Sequence, residues 1–175
     1  MKILFQNKYL LDFLAAIMFF TRIPINWQFF SNKPPDLTKA AWCFPLIGSV
    51  IGIISGILGD IFLFFNLPIF LSCTIAITLS VIITGAFHED GLADMADGFG
   101  AGGSPAKINK IMHDSRLGTY GTVAITLGFL IRLGLVVGLV ELGYSITVIL
   151  AFSFCLLYTS PSPRDLSTSR MPSSA

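Results

Sequence analysis

The residues best suited to chemistry lie in one stretch, from His88 to Gly121, which holds five of the chain's ten acidic residues. Asp90, Asp94 and Asp97 are spaced i, i+4 and i+7, which on a helix places them within an arc of about 60°. Two carboxylates about 6 Å apart repel by about 0.7 kcal/mol in water and by about 3 kcal/mol at an effective dielectric of about 20. A divalent cation would relieve this repulsion, and Mg²⁺ prefers a few carboxylates together with water and phosphate oxygens.

The alternative interpretation is an ordinary solvated acidic face. It is disfavoured because these residues begin where an apolar segment ends, in a chain otherwise poor in charge. On a regular helix Glu89 would point away from the three aspartates. His88 stands at the same border, where it fits a proton carrier and a hydrogen-bonding helix end equally well.

Glycines and basic residues follow the acidic segment. The run from Gly98 to Gly103 predicts a flexible loop whose backbone can approach a ligand. Ser104 and Pro105 then predict the start of a short helix. Lys107, Lys110 and Asp114 share one face of this helix. Arg116 can bind a phosphate bidentately, and Lys107 or Lys110 can act as a point charge toward it. A metal site, basic residues and a glycine loop together indicate phosphoryl transfer, and no P-loop motif is present.

Two strings in this stretch, HEDGLADMADG and KIMHDSRLGTYG, resemble the paired signature of a known family. That family is adenosylcobinamide-GDP ribazoletransferase, also called cobalamin 5′-phosphate synthase. The strings FFTRIPI and FPLIGSVIGIISG nearer the N-terminus are similar to its opening segments. The resemblance covers about Phe13 to Val140, and its central motifs are long and specific.

The resemblance implies a reaction that joins adenosylcobinamide-GDP to α-ribazole or its 5′-phosphate and releases GMP, with Mg²⁺ as cofactor. It implies that Asp90, Asp94 and Asp97 hold the metal and the pyrophosphate, with Glu89 beside them. His88 or one carboxylate would accept the hydroxyl proton, and the choice stays open. The expected substrate-binding residues are Arg22, Lys107, Lys110, Asp114 and Arg116.

Two other functions are compatible with clustered acidic residues in a membrane protein. The first is a CDP-alcohol phosphotransferase or membrane prenyltransferase, but Asp94 stands near where the CDP-alcohol pattern expects an Ala-Arg pair. The second is a cation transporter, which predicts acidic residues at the bilayer midplane rather than in a loop.

The amino-acid composition indicates what kind of structural elements hold these residues in position. Of 175 residues, 54% are hydrophobic and 12% charged, and the mean hydropathy is +0.78. That charge content is about half that of a soluble domain, and the apolar content excludes a disordered chain. A net charge of +1 does not suggest nucleic-acid binding. We therefore predict an all-α, polytopic integral membrane helical bundle with the lipid bilayer as partner and no nucleic acid, and with a homo-oligomer left open.

The apolar segments divide into a short N-terminal helix and several spans. Residues 9–20 are too few to cross about 30 Å of hydrocarbon, so they predict a re-entrant or interfacial helix. The predicted spans are 42–58 (extending as far as 65), 67–84, 122–140 and an abortive fourth at 145–157. Asp60, Asn66 and Pro68 predict a short external turn between the first two. Glycines four apart, at 48, 52 and 56 and again at 134 and 138, predict close helix packing.

Basic residues predict the orientation. They precede the first span and recur between 107 and 116, whereas the turn between the first two spans has none. Both basic stretches should therefore face the cytoplasm of a bacterial or archaeal cell, across its inner membrane. Arg132 falls near the middle of the 122–140 span, where it either faces the bundle interior as a site residue or packs against a carbonyl. Cys43, Cys73 and Cys155 predict small core residues.

The C-terminal composition changes abruptly. Residues 158–175 contain six Ser and three Pro, and they cut short an apolar run. We predict a membrane transferase domain at 1–157, incomplete at its C-terminus, with a catalytic cytoplasmic loop at 85–121. Residues 158–175 are then a non-native tail, and a disordered native tail is the alternative.

Overall fold

The computed structural model describes residues 7–32, 34–114 and 116–143. Within these ranges the chain is helical and has no strand, which confirms the all-α prediction. The α-helices are α1 (Lys8–Phe20), α2 (Leu37–Ala40), α3 (Phe44–Phe64), α4 (Ile69–Thr84), α5 (Phe87–Ala101), α6 (Pro105–Met112) and α7 (Thr119–Glu141). Single turns of 3₁₀-helix cover Trp27–Phe29 and Ala41–Cys43.

In the described ranges, two segments are long and apolar enough to cross a membrane, Leu37–Phe64 and Thr119–Glu141. Helices α4 and α5 pass the same test only when taken together, and they are bent by 84° at their junction. The prediction of a membrane helical bundle is confirmed. The predicted fourth span at 145–157 and the tail at 158–175 lie outside the described residues.

The chain divides into two compact units, and the division falls inside α3, after Gly56. In the first unit α1 packs against α2 and the 3₁₀ turn that follows it. Asp12 is buried and accepts a hydrogen bond from Trp42 Nε1 at 3.3 Å, while the rings of Phe20 and Phe44 meet edge to face at 4.7 Å. Helix α1 is confirmed as a helix, and its interfacial position stays a prediction.

The second unit is built on α7, which packs against α4 and α5. Cys73 and Ile77 of α4 and Leu133 of α7 form its buried centre, flanked by apolar side chains of both helices. Cys43 and Cys73 are buried free thiols, as expected for core residues. Burial raises the free energy of an ionised thiol, so these two cysteines act as small apolar side chains.

The junction of α4 and α5 depends on two consecutive left-handed residues, Gly85 with φ 66° and Ala86 with φ 61°. This conformation is easy for glycine and costs an alanine about 1 kcal/mol. It turns the chain so that α5 leaves the direction of α4. Helix α5 carries four carboxylates, each of which would cost roughly 2.5–3.5 kcal/mol at the bilayer centre. We therefore expect α5 to lie outside the membrane-spanning segments.

One detail of the sequence prediction is wrong. Asp60 does not belong to the external turn, because α3 continues to Phe64 and aspartate does not break a helix as glycine or proline does. The turn comes later, at Asn66, whose φ is 60°. Close packing at Gly134 and Gly138 stays a prediction, since a Cβ built on either meets nothing within 4 Å among the described residues. Gly48 and Gly52, in contrast, are buried.

Candidate functional site

Helix α5 carries all three aspartates, as the spacing predicts, and it buries them to different degrees. Asp90 is exposed, Asp94 is half-buried and Asp97 is 9% exposed. Burial first, and then the carboxylates of Asp90 and Asp97, raise the pKa of Asp94, while His113 lowers it. Asp94 therefore lies where negative charge is poorly compensated, which favours either a proton or a cation at this position.

Asp97 has a clear structural role. Its Oδ2 accepts a hydrogen bond from the amide of Gly118 at 2.8 Å, and its Oδ1 accepts one from Gly121 at 2.9 Å. These amides belong to the first turn of α7, whose N-terminus attracts an anion. A Cβ at Gly118 or at Gly121 would overlap the Asp97 carboxylate. Only glycine therefore fits at Gly118 and Gly121 of the RLGTYG string, because both lie against Asp97, the last aspartate of HEDGLADMADG.

The glycine run from Gly98 to Gly103 forms a shorter loop than the sequence predicts. Helix α5 continues through Gly98 and Gly100 to Ala101, because these glycines permit close packing. A Cβ on Gly98 would overlap Met112, and one on Gly100 would overlap the ring of Tyr120. The loop proper is Gly102 and Gly103, with φ of 61° and 115°, where a side chain would be strained.

Glu89 reaches the membrane helix α7, and its direction relative to the aspartates stays a prediction. Its Oε1 accepts a hydrogen bond from Arg132 Nη2 at 2.6 Å. The side chains are 16% and 33% exposed, so the pair is largely desolvated. Glu89 Oε2 and Arg132 Nε are both buried and have no hydrogen-bond partner within the described part of the chain. Arg132 therefore faces a partner inside the second unit, and one acceptor of Glu89 remains available.

His88 lies in the first turn of α5, half-buried, with its ring edge to face against Phe87 at 5.6 Å. This position is compatible with both roles considered for His88, a proton carrier and a hydrogen-bonding residue at the helix end.

The basic residues are mostly solvent-exposed. Helix α6 begins as predicted, with the Ser104 side chain accepting a hydrogen bond from the Lys107 amide at 3.4 Å, and Lys107 and Lys110 are exposed. Arg116 is held by Asp114 through Nε and through Nη2, the latter at 2.7 Å. These hydrogen bonds lower the pKa of Asp114. Arg116 remains 87% exposed, so its guanidinium is accessible to an anion.

Arg22 belongs to the first unit, where it is exposed directly after α1.

A cavity of about 410 Å³ adjoins the acidic helix, between α4, α5 and α7. Its walls are Thr78, Val81, Ala86, Glu89, Asp90, Ala93, Leu117, Ile125 and Phe129. Sequence reasoning missed this cavity because its apolar residues come from three separate segments. Asp90 is the residue that the cavity shares with the predicted acidic face.

A complete metal centre is not formed by the described side chains alone. Among residues 7–32, 34–114 and 116–143, no three histidine, cysteine, aspartate or glutamate side chains are grouped so as to hold a metal ion. The metal site of Asp90, Asp94 and Asp97 therefore stays a prediction.

Comparison with known proteins gives a consistent result. The sequence profile described as cobalamin-5-phosphate synthase matches residues 12–163. The chain is 42% identical over 134 residues to an adenosylcobinamide-GDP ribazoletransferase of Xanthobacter autotrophicus, covering 74% of this chain and 50% of that protein. It is 40% identical over 141 residues to the protein of the same name from Azorhizobium caulinodans, covering 78% and 53%.

A third relative of that name, from Leptospira interrogans, is 42% identical over 130 residues, which cover 74% of this chain and 48% of the relative. The chain thus spans about half the length of these curated relatives. No solved structure matches it.

Proposed function

Because the chain belongs to the cobalamin-5-phosphate synthase family, we propose that it provides the acidic catalytic region of an adenosylcobinamide-GDP ribazoletransferase. In the proposed reaction the 3′-hydroxyl of α-ribazole, or of its 5′-phosphate, attacks the cobinamide-linked phosphorus of the pyrophosphate. A new P–O bond forms, the bridging P–O bond breaks, and GMP leaves. The observation that carries the proposal is the row of carboxylates on α5, which α7 anchors through Asp97.

Mg²⁺ is the proposed cofactor. The carboxylates of Asp90 and Asp94 have the right donor chemistry, and the raised pKa of Asp94 marks a position where a cation would be stabilised. Mg²⁺ usually takes one or two protein carboxylates and fills its other positions with water and substrate phosphate oxygens. Asp97 is part of the same proposed set, although both of its oxygens already accept amide hydrogens. When bound, the ion would neutralise charge developing on the pyrophosphate.

The remaining residues bind the substrate and move one proton. Three exposed cations follow the acidic segment in the sequence and are suited to binding phosphate oxygens: Lys107, Lys110 and Arg116. Arg22 and Asp114 complete the proposed substrate-binding set. The hydroxyl proton is accepted by His88 or by a carboxylate of α5, since both lie in the first turns of that helix.

We further propose that α5 and α6 face the cytoplasm of a bacterial or archaeal cell, across its inner membrane. The cations at 107, 110 and 116 support this orientation through the positive-inside rule. Neither a CDP-alcohol transferase nor a cation transporter is favoured by a specific contact in the described ranges.

The test is release of GMP and formation of a corrinoid product. Membranes carrying either the chain as printed, or the chain continued by the C-terminal half of the Xanthobacter relative, would receive adenosylcobinamide-GDP, α-ribazole 5′-phosphate and Mg²⁺. We expect product from the continued chain, and none when α-ribazole phosphate is withheld. Absence of corrinoid product from both proteins would contradict the proposed function.

A further inference from the structure

The cavity between α4, α5 and α7 lies directly beside the acidic face, and no role has been assigned to it so far. We propose that it binds the acceptor nucleoside, with the aromatic base against its apolar walls and the ribose at Glu89 and Asp90. This inference rests on the proposed function, because it assigns a place to one of that reaction's substrates.

The size and lining of the cavity suit a bicyclic base. Its volume is about 410 Å³, within the range of about 300–1,000 Å³ that is usual for small-molecule sites. Val81 of α4, Ala93 of α5 and Ile125 and Phe129 of α7 give it an apolar interior. Phe129 offers a ring against which a flat heterocycle can pack.

The polar lining of the cavity supplies hydrogen-bond acceptors. Glu89 lines the cavity, and its Oε2 is buried without a partner among the described residues, while Oε1 is held by Arg132. A buried acceptor without a donor is unfavourable, and a sugar hydroxyl can supply that donor. Asp90 also lines the cavity and belongs to the aspartate row. A ribose held here would therefore present a hydroxyl beside the proposed metal ligands.

The same lining predicts which base is preferred. The base of α-ribazole is a dimethylbenzimidazole, whose methyl groups and ring carbons need no hydrogen bond. A purine such as adenine would bring ring nitrogens and an amino group into walls where, among the described lining residues, only Thr78, Glu89 and Asp90 have polar side chains. Polar groups buried without partners weaken binding, so the cavity should select benzimidazole over purine nucleosides.

The test is equilibrium binding of α-ribazole and of α-adenosine, which has the same glycosidic configuration, to the 175-residue chain in lipid nanodiscs, without metal or corrinoid. Ile125→Trp fills the cavity from α7, and Leu127→Trp, two residues along the same helix at an exposed position outside the lining, is the matched control. We expect the unaltered chain to bind α-ribazole at least tenfold more tightly than α-adenosine. Ile125→Trp should weaken α-ribazole binding at least tenfold, and Leu127→Trp less than twofold.

Unchanged affinity in Ile125→Trp, no α-ribazole binding by the unaltered chain, or equal affinity for the two nucleosides would overturn the proposal. Circular dichroism and thermal melting confirm that both tryptophan variants are folded. The two proposals can fail separately. If the continued chain makes corrinoid product while Ile125→Trp leaves the KM for α-ribazole phosphate unchanged, the cavity assignment alone is wrong. If α-ribazole binding responds to Ile125→Trp but no product forms, the proposed function alone is wrong.

Discussion

Asp94 occupies the middle of the carboxylate row on α5, and its surroundings favour a neutral or cation-bound group. Partial burial is the main cause of its raised pKa, and the carboxylates of Asp90 and Asp97, one helical turn away on either side, raise it further. A carboxylate perturbed in this way beside other carboxylates is a candidate for a functional group.

Replacing Asp94 should therefore abolish activity without unfolding the helix. We expect Asp94→Asn to lower turnover by about two orders of magnitude or more, because charge stabilisation of the transferring phosphoryl group contributes on that scale. The measurement is GMP release by membranes carrying the continued chain, with membrane content checked by immunoblot. Asp60→Asn, an exposed aspartate on α3, is the control and should retain activity. Near-normal turnover in Asp94→Asn would refute the metal-site assignment.

The contact between Asp114 and Arg116 predicts a pH effect at the surface. Hydrogen bonds from Arg116 lower the pKa of Asp114, so the contact stabilises the folded chain above the pKa that Asp114 has when unfolded. That stabilisation is lost as the pH falls through the lower folded value, and it is small because both groups are exposed. Arg116→Gln should raise the Asp114 pKa, measured by a ¹³C carboxylate titration. Lys107→Gln should leave it unchanged, and an unaltered titration in Arg116→Gln would contradict the contact.

At the scale of helices, the first turn of α7 is fixed by the acidic helix. Gly121→Ala places a Cβ against the Asp97 carboxylate, and we expect it to destabilise the fold by about 1–3 kcal/mol, as overpacking typically does. Gly134→Ala on the same helix meets open space and should be neutral or stabilising by up to about 1 kcal/mol. Unfolding in mixed detergent micelles measures both. Equal stability of the two variants would show that Asp97 does not hold this turn.

The ion pair between Glu89 and Arg132 links the same two helices farther along α7. Because the pair is largely desolvated, removing one partner leaves a charge without compensation. We expect Arg132→Met to destabilise by about 1–2 kcal/mol, less than for a fully buried pair because Arg132 is partly exposed.

The double variant Glu89→Gln with Arg132→Met should recover part of that loss. A double-mutant cycle of unfolding free energies measures the coupling. Additive effects would mean that the two charges do not interact.

Local sequence patterns predicted most of these elements and little of how they meet. The spacing of Asp90, Asp94 and Asp97 gave a helix, and Ser104 with Pro105 gave the start of the next one, because both signals are local. The position of Asp97 at the start of α7 depends on residues 21 and 24 positions away, and no local pattern encodes it. For the same reason the sequence predicts a loop at Gly98 and Gly100, although these glycines serve packing inside α5.

At the scale of the whole molecule, most of the described helices are apolar, and the charged side chains are concentrated on α5 and α6. The residues with proposed catalytic roles lie on α5, in the second unit, and that unit also contains the cavity and the exposed cations of α6. Helix α7 contacts the acidic helix α5 at two points, because it binds Asp97 at its first turn and Glu89 near its middle. Changes at the α7 positions that hold Asp97 and Glu89 should therefore alter the geometry of the acidic helix even where they touch no substrate.

The same arrangement makes a prediction about membrane topology. If α4 crosses the bilayer and α5 turns aside at its end, the turn at Asn66 and the loop before α6 lie on opposite sides. Cations at 107 and 110, and their absence from 65–68, predict that α6 lies in the cytoplasm. In a background with Cys43, Cys73 and Cys155 replaced by alanine, a membrane-impermeant maleimide should label Asn66→Cys in intact spheroplasts and Ser104→Cys only in inverted vesicles. Labelling of both positions from one side would contradict a crossing by α4.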